Sequence, residues 1–129
     1  MYDSRQTYQL INSTKSQMII DHLEIANRFW KRFKGLMGRP SLAPNHGIYI
    51  SPCTSIHCFF MRFPIDVVFV DKFNTVVAIY PAVRPWSITL PGRGAHSVIE
   101  GSAGQLAHQV NLGDSLTIKE TNHEEISPQ

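Results

Sequence analysis

Cys53, His57, Cys58 and Met61 stand close together in the chain and carry the side chains that soft metals prefer. Thiolate, imidazole and thioether would together suit zinc or copper(I). Strand geometry opposes such a site. On an extended chain His57 and Cys58 face opposite ways, and Cys53 and Met61 each lie about 13 Å from His57 at ~3.3 Å per residue. One ion with bonds of ~2.0–2.3 Å gathers them only if the chain folds back over residues 52–55. No second His/Cys pair at ligand spacing occurs elsewhere, so no metal is expected, and Cys53, His57 and Cys58 are the only ligand candidates. Read as a cysteine nucleophile beside His57, the cluster lacks an orienting third group. A buried cysteine ordinarily packs without reacting.

The carboxylates make a second candidate. Asp66 interrupts the apolar run 65–70, and a carboxylate inside a core must find a partner or face a cavity. Glu100 ends another apolar run just before Gly101, while Arg32 and Arg39 lie toward the end of a basic, amphipathic stretch. Arg32, Arg39, His57, Met61, Asp66 and Glu100 therefore form the candidate pocket. Asp66 or Glu100 would act as acid or base, and arginine would bind an anion. The alternative is a structural ion pair that caps a helix and pins a barrel, an arrangement that also suits arginine near a helix C-terminus. That alternative is preferred, because no nucleophile or second carboxylate motif completes a mechanism.

Other motifs carry less. The glycines lack the lysine and hydroxyl spacing of a phosphate loop and read as turns and close approaches. Arg28, Lys31, Arg32, Lys34 and Arg39 concentrate positive charge beside Phe29, Trp30 and Phe33, which invites a nucleic-acid reading. The aromatics fall on the apolar stripe, however, and should face a core. Arg84-Pro85-Trp86 reads as a crossing whose tryptophan plugs a barrel end.

These residues need elements to position them. Ala26, Phe29, Trp30, Phe33, Leu36 and Met37 recur at helical spacing, and Gly38 and Pro40 provide a stop, which predicts an amphipathic helix over 26–37. Short strands are expected at 18–26, 48–51, 55–61, 95–100 and 114–119. The clearest is 65–70, returning through a turn at 71–74 as the hairpin partner 75–80. A short helix is expected over 101–110. The fold expected is α+β and β-rich: a small, barrel-like, mostly antiparallel sheet with one main amphipathic helix and one short helix. Residues 1–17 read as a flexible lead-in with room for one short edge strand, 18–120 as a single globular domain and 121–129 as a polar tail.

The chain has 129 residues, enough for one domain with its own core, and 43% of them are hydrophobic, which excludes intrinsic disorder. A net charge of +2 is too balanced to announce a nucleic-acid or membrane-surface protein. The first 17 residues lack the apolar core of an export signal, and no apolar run approaches the length of a bilayer span. On a straight strand the two cysteines would stand about 17 Å apart at ~3.3 Å per residue, well beyond disulfide reach. A cytoplasmic protein with free thiols is expected.

Three segments in order carry a resemblance: Arg32 to Arg39 (RFKGLMGR), Cys53 to Asp71 (CTSIHCFFMRFPIDVVFVD), and Ala95 to Gly104 (AHSVIEGSAG) followed by Leu112-Gly113-Asp114. Together they resemble the uncharacterised family called domain of unknown function 192, over residues 25–118. The resemblance maps the family pattern onto Arg32, Gly35, Leu36, Met37, Gly38, Arg39, Met61, Asp66, Glu100, Gly104, Gly113 and Asp114. It brings no reaction, substrate or cofactor. The function expected is a non-catalytic binding or accessory protein with a small polar pocket for a small ligand or anion. The alternatives are a small hydrolase-like or transferase-like enzyme using Asp66, Glu100 and His57, and nucleic-acid binding through the basic helix. No cofactor and no membrane partner are expected.

Overall fold

Val, Ile, Phe and Tyr dominate the apolar runs, and such β-branched and aromatic side chains fit the pleated surface of a sheet. The computed structural model describes residues 7–26, 42–52, 56–57, 63–85, 88–89 and 94–121. Its strands are β1 (Tyr8–Asn12), β2 (Gln17–Ala26), β3 (His46–Ile50), β4 (Ile56–His57), β5 (Ile65–Val70), β6 (Val76–Val83), β7 (Ile88–Thr89), β8 (Ser97–Ser102) and β9 (Leu116–Glu120). Seven form one sheet in the order β6-β5-β8-β3-β2-β1-β9, and β4 pairs with β7 in a separate two-stranded ladder. All pairings in the large sheet are antiparallel except β2 with β3. Every residue of β5 is buried, as a run apolar at every position but Asp66 requires of a strand covered on both faces. The β5–β6 hairpin is the one expected from the sequence. Asp71 Oδ1 accepts the backbone N–H groups of Phe73 and Thr75, each at 2.9 Å, and Asn74 takes the positive φ the turn needs.

The sheet curls until its edge strands touch. Thr75 and Ser115 form a bridge, and Val76 N to Asp114 O, Gly113 N to Val76 O and Leu116 N to Asn74 O are each 2.9 Å. The result is a half-barrel. All seven strands of the sheet contribute to one buried cluster on its concave side, among them Leu10, Leu23, Tyr49, Val68, Val76, Ile99 and Leu116. Leu106 and Val110, from the segment after β8, join this cluster and plug the barrel. The convex side carries a second cluster, with Ile48, Ile50, Ile65, Val67, Phe69 and Val98.

Two corrections to the expected fold follow. The described chain is nearly all sheet, with no α-helix among the described residues. Ala26, the first residue of the expected amphipathic helix, is instead the last residue of β2 and pairs with Ile50; residues 27–41 lie outside the described residues. The short helix expected over 101–110 shrinks to a single 3-10 turn, Ala107–Gln109. Its physical cause is Gly101, which stays in β8 opposite both Asp66 and Gly47. The lead-in also contains structure. Residues 8–12 form β1, between β2 and β9, because Leu10 and Asn12 turn inward and are wholly buried.

Gly47 and Gly101 face each other across β3 and β8 and make a thin place in the wall. A Cβ on Gly101 would lie 2.9 Å from Leu106 Cβ, and one on Gly47 would lie 2.7 Å from Ile20 Cδ1 and 2.9 Å from the Glu100 carbonyl oxygen. The carbonyl belongs to the ladder and cannot retreat as a side-chain end can. Gly47→Ala is therefore expected to cost about 1–3 kcal/mol by overpacking, read as a lowered midpoint in urea unfolding at unchanged slope.

Candidate functional site

Asp66 owes its surroundings to a bulge. Ile65 lies opposite Val83 and Val67 opposite Tyr80, so Asp66 alone faces both Pro81 and Ala82. Proline brings no N–H to strand, and Ala82, at φ 49°, turns its own N–H onto Asp66 Oδ1 at 2.8 Å. Gly104 N donates to the same oxygen at 3.2 Å, and Ala107 N donates to Oδ2 at 2.8 Å. The carboxylate thus ties the bulge of β6 to the segment that plugs the barrel. It is wholly buried, and backbone donors meet both oxygens.

The second carboxylate goes the other way. Across β5 and β8, Asp66 pairs with Gly101 while Val67 pairs with Glu100. Side chains alternate along a strand and directly opposed residues share a face, so Asp66 and Glu100 project from opposite sides of the sheet. Glu100 is 1% exposed and lies on the convex side in a row running Glu24, Ile48, Glu100, Val67, Tyr80 across β2, β3, β8, β5 and β6. The candidate pocket therefore does not bring its two carboxylates together. His57 lies in β4, its backbone paired with Ile88. Arg32, Arg39, Met61, Cys53 and Cys58 lie outside the described residues. Among the described residues, no group of three or more His, Cys, Asp or Glu side chains is placed to hold a metal ion.

One hydroxyl chain deserves comparison with a nucleophile–base pair. His96 Nδ1 lies 2.9 Å from Ser97 Oγ, which donates to Ser51 Oγ at 2.7 Å. Ser97 is wholly buried, and its one proton already goes to Ser51. With the Ser97 proton directed to Ser51, its oxygen is the acceptor open to a protonated His96 Nδ1.

The sequence reasoning missed a buried polar cluster centred on Asn12. Asn12 Nδ2 donates to Asp114 Oδ2 at 2.8 Å and to the Gln109 carbonyl at 3.0 Å, while its Oδ1 accepts Lys15 N at 3.2 Å. Asp114 Oδ2 also accepts Asn111 N at 2.9 Å and lies 3.8 Å from Lys15 Nζ. Asn12 sits in a polar stretch with no local sign that it is buried. The hydrogen bond from Asn12, then that from Asn111, and last the charge of Lys15 hold the Asp114 carboxyl below its ordinary 3.8, against the opposing effect of burial.

Two outcomes are expected. Asp66→Asn places an amide NH₂ among backbone donors and should lower stability by roughly 2–4 kcal/mol, the scale of losing charge-assisted acceptance at buried donors; chemical unfolding measures it. Asp114, with its folded pKa depressed, contributes stability that is present above 3.8 and lost as pH falls through its lower folded value. Asp114→Asn should flatten the acid limb of stability between pH ~5 and ~2, and unfolding curves across that range would show a parallel limb if the linkage were absent.

The geometry can be set beside known proteins. A UPF0127 protein of Pyrococcus abyssi is 40% identical over 114 residues, covering 83% of this chain and 94% of that protein. One from Thermococcus sibiricus is 38% identical over 114 residues, covering 83% of this chain and 72% of that protein. Among solved structures, a candidate transcription regulator of Sinorhizobium meliloti superposes with a TM-score of 0.71 at 25% identity, covering 87% of this chain and 92% of that one. A Novosphingobium aromaticivorans protein of unknown function gives a TM-score of 0.70 at 24% identity, over 86% of this chain and 83% of that one, a likeness of fold. The family model DUF192, described as uncharacterized ACR, matches residues 10–118. The chain belongs to the DUF192 family, whose function is uncharacterised.

Proposed function

We propose that this chain is a non-catalytic binding or accessory domain whose ligand contacts lie on the convex side of the sheet around Glu100. The observation that carries the reading is the separation of the two carboxylates: Asp66 is closed off by three backbone donors, and Glu100 projects from the opposite face. An acid/base pair needs both groups within hydrogen-bond reach of one substrate, and the sheet stands between them. Arg32, Arg39, His57 and Met61 enter this proposal from the sequence, with the arginines as ligands for a small anion. Among the described residues no helix is long and apolar enough to cross a membrane. The compartment proposed is the cytoplasm, where Cys53 and Cys58 remain thiols.

A thermal-shift panel of phosphate, sulfate, small carboxylates and nucleotides tests this reading. A saturable rise in midpoint that Arg32→Ala or Arg39→Ala removes is expected, with no turnover of ester or phosphoester substrates. Turnover that disappears in both Glu100→Gln and His57→Ala would establish the enzymatic alternative instead.

A second reading rests on the Sinorhizobium meliloti structure, named as a candidate transcription regulator, and on the basic residues at 28–39. Anisotropy of a labelled mixed-sequence duplex at low salt separates the two, since phosphate-driven binding weakens steeply as salt rises. No binding at low salt is expected.

A further inference from the structure

We propose that His22 and His46 form a two-imidazole site for a divalent transition-metal ion, a site independent of the convex-face ligand. The parallel pairing of β2 and β3 begins at these two residues, directly opposite one another. Their position is held from both sides. Asp21 N and His22 N both donate to the Asn45 carbonyl, at 3.1 and 3.2 Å, and His46 N donates to the Ala43 carbonyl at 3.1 Å, closing the turn in which Asn45 takes a φ of 64°. The two imidazoles share a face and stack, with ring centres 4.6 Å apart and planes 8° from parallel.

Asp21 stands where a carboxylate can orient a metal-bound histidine. Asp21 Oδ1 lies 2.8 Å from His22 Nδ1. A carboxylate at that distance accepts the Nδ1 proton, which leaves Nε2 of the neutral ring with its lone pair. The His22 side chain is 56% exposed, so this nitrogen is reachable from solvent. Two imidazoles bound to one tetrahedral ion at ~2.0–2.1 Å hold their ring centres about 5 Å apart. The observed 4.6 Å is within a few tenths of an ångström of that separation. Parallel rings cannot aim two in-plane lone pairs at one point, so binding requires them to open like a hinge about χ2, a rotation open to side chains at the surface. The ligand set is two nitrogens completed by water. Imidazole donors suit zinc, nickel and copper(II) and discriminate against magnesium and calcium. Bound metal would clip β2 to β3 where their pairing starts.

Calorimetric titration of the full chain with zinc or nickel tests the site. One equivalent should bind, with His22→Asn and His46→Asn each weakening it at least about ten-fold, Asp21→Ala weakening it roughly ten-fold, and magnesium giving no heat. Asp21, His22 and His46 are all exposed or half-buried, and circular dichroism verifies the fold of each variant. The rival ligands are the thiols, so Cys53→Ser/Cys58→Ser is run in parallel and should bind as the parent does. Binding that survives the His22→Asn/His46→Asn double variant, binding lost only in the cysteine variant, or no saturable heat at all would each overturn the proposal.

Discussion

A carboxylate withdrawn from water must be met by donors or it destabilises the fold that buries it. Asp66 is met by three backbone amides, from Ala82, Gly104 and Ala107. They come from two places that the sheet alone would leave loose: a bulged residue at positive φ in β6, and the segment after β8 that closes the barrel. Hydrogen bonds to a charged acceptor are roughly twice as strong as neutral ones. One side chain thus holds Ala82 in a conformation that alanine rarely adopts and seats Leu106 over Gly101 in the concave core. The plug, the thin wall at Gly47 and Gly101, and the bulge form one arrangement around this carboxylate.

The barrel has a second polar tie at its seam. There the edge strands meet through Thr75 and Ser115, and the Asn12–Asp114 pair lies beside that meeting. Asn12 joins β1 to the turn at Gln109 and, through Asp114, to the start of β9. Both ties replace ladder hydrogen bonds that a curled sheet cannot make where its strands diverge or bulge. Buried polar groups of this kind are therefore part of the wall and not exposed chemistry. They give motif positions Asp66, Gly104 and Asp114 a part in holding the wall together.

The convex face is different in kind. Glu100 is buried there within an apolar cluster, in a row that ends at the exposed Glu24 on one side and the half-buried Tyr80 on the other. Membership of the DUF192 family brings no activity to interpret this face, and fold alone does not supply one. The proposed ligand contacts lie on this face around Glu100, and the proposed metal site lies where His22 and His46 begin the β2–β3 pairing.

Much was legible from local chemistry. Asp-Lys-Phe-Asn between two apolar runs specified the β5–β6 hairpin, the near-continuous apolar run 65–70 specified a strand covered on both faces, and three separated motifs specified the family. Helical spacing was misleading at Ala26, because an alternating strand and a helix stripe share their first position and only the pairing with Ile50 chooses between them. At 8–12 the short strand that the sequence had room for at an edge lies instead between β2 and β9, with two residues wholly buried. The sequence by itself determined that Asp66 and Glu100 would be carboxylates within apolar strands, and that each would need an environment. Only the tertiary structure decided which environment. The donors to Asp66 lie 16, 38 and 41 positions away, and Asn12 meets Asp114 across 102. The face each side chain takes follows from registers and bulges set by such distant partners, and a one-residue shift in register exchanges the two sides of the sheet.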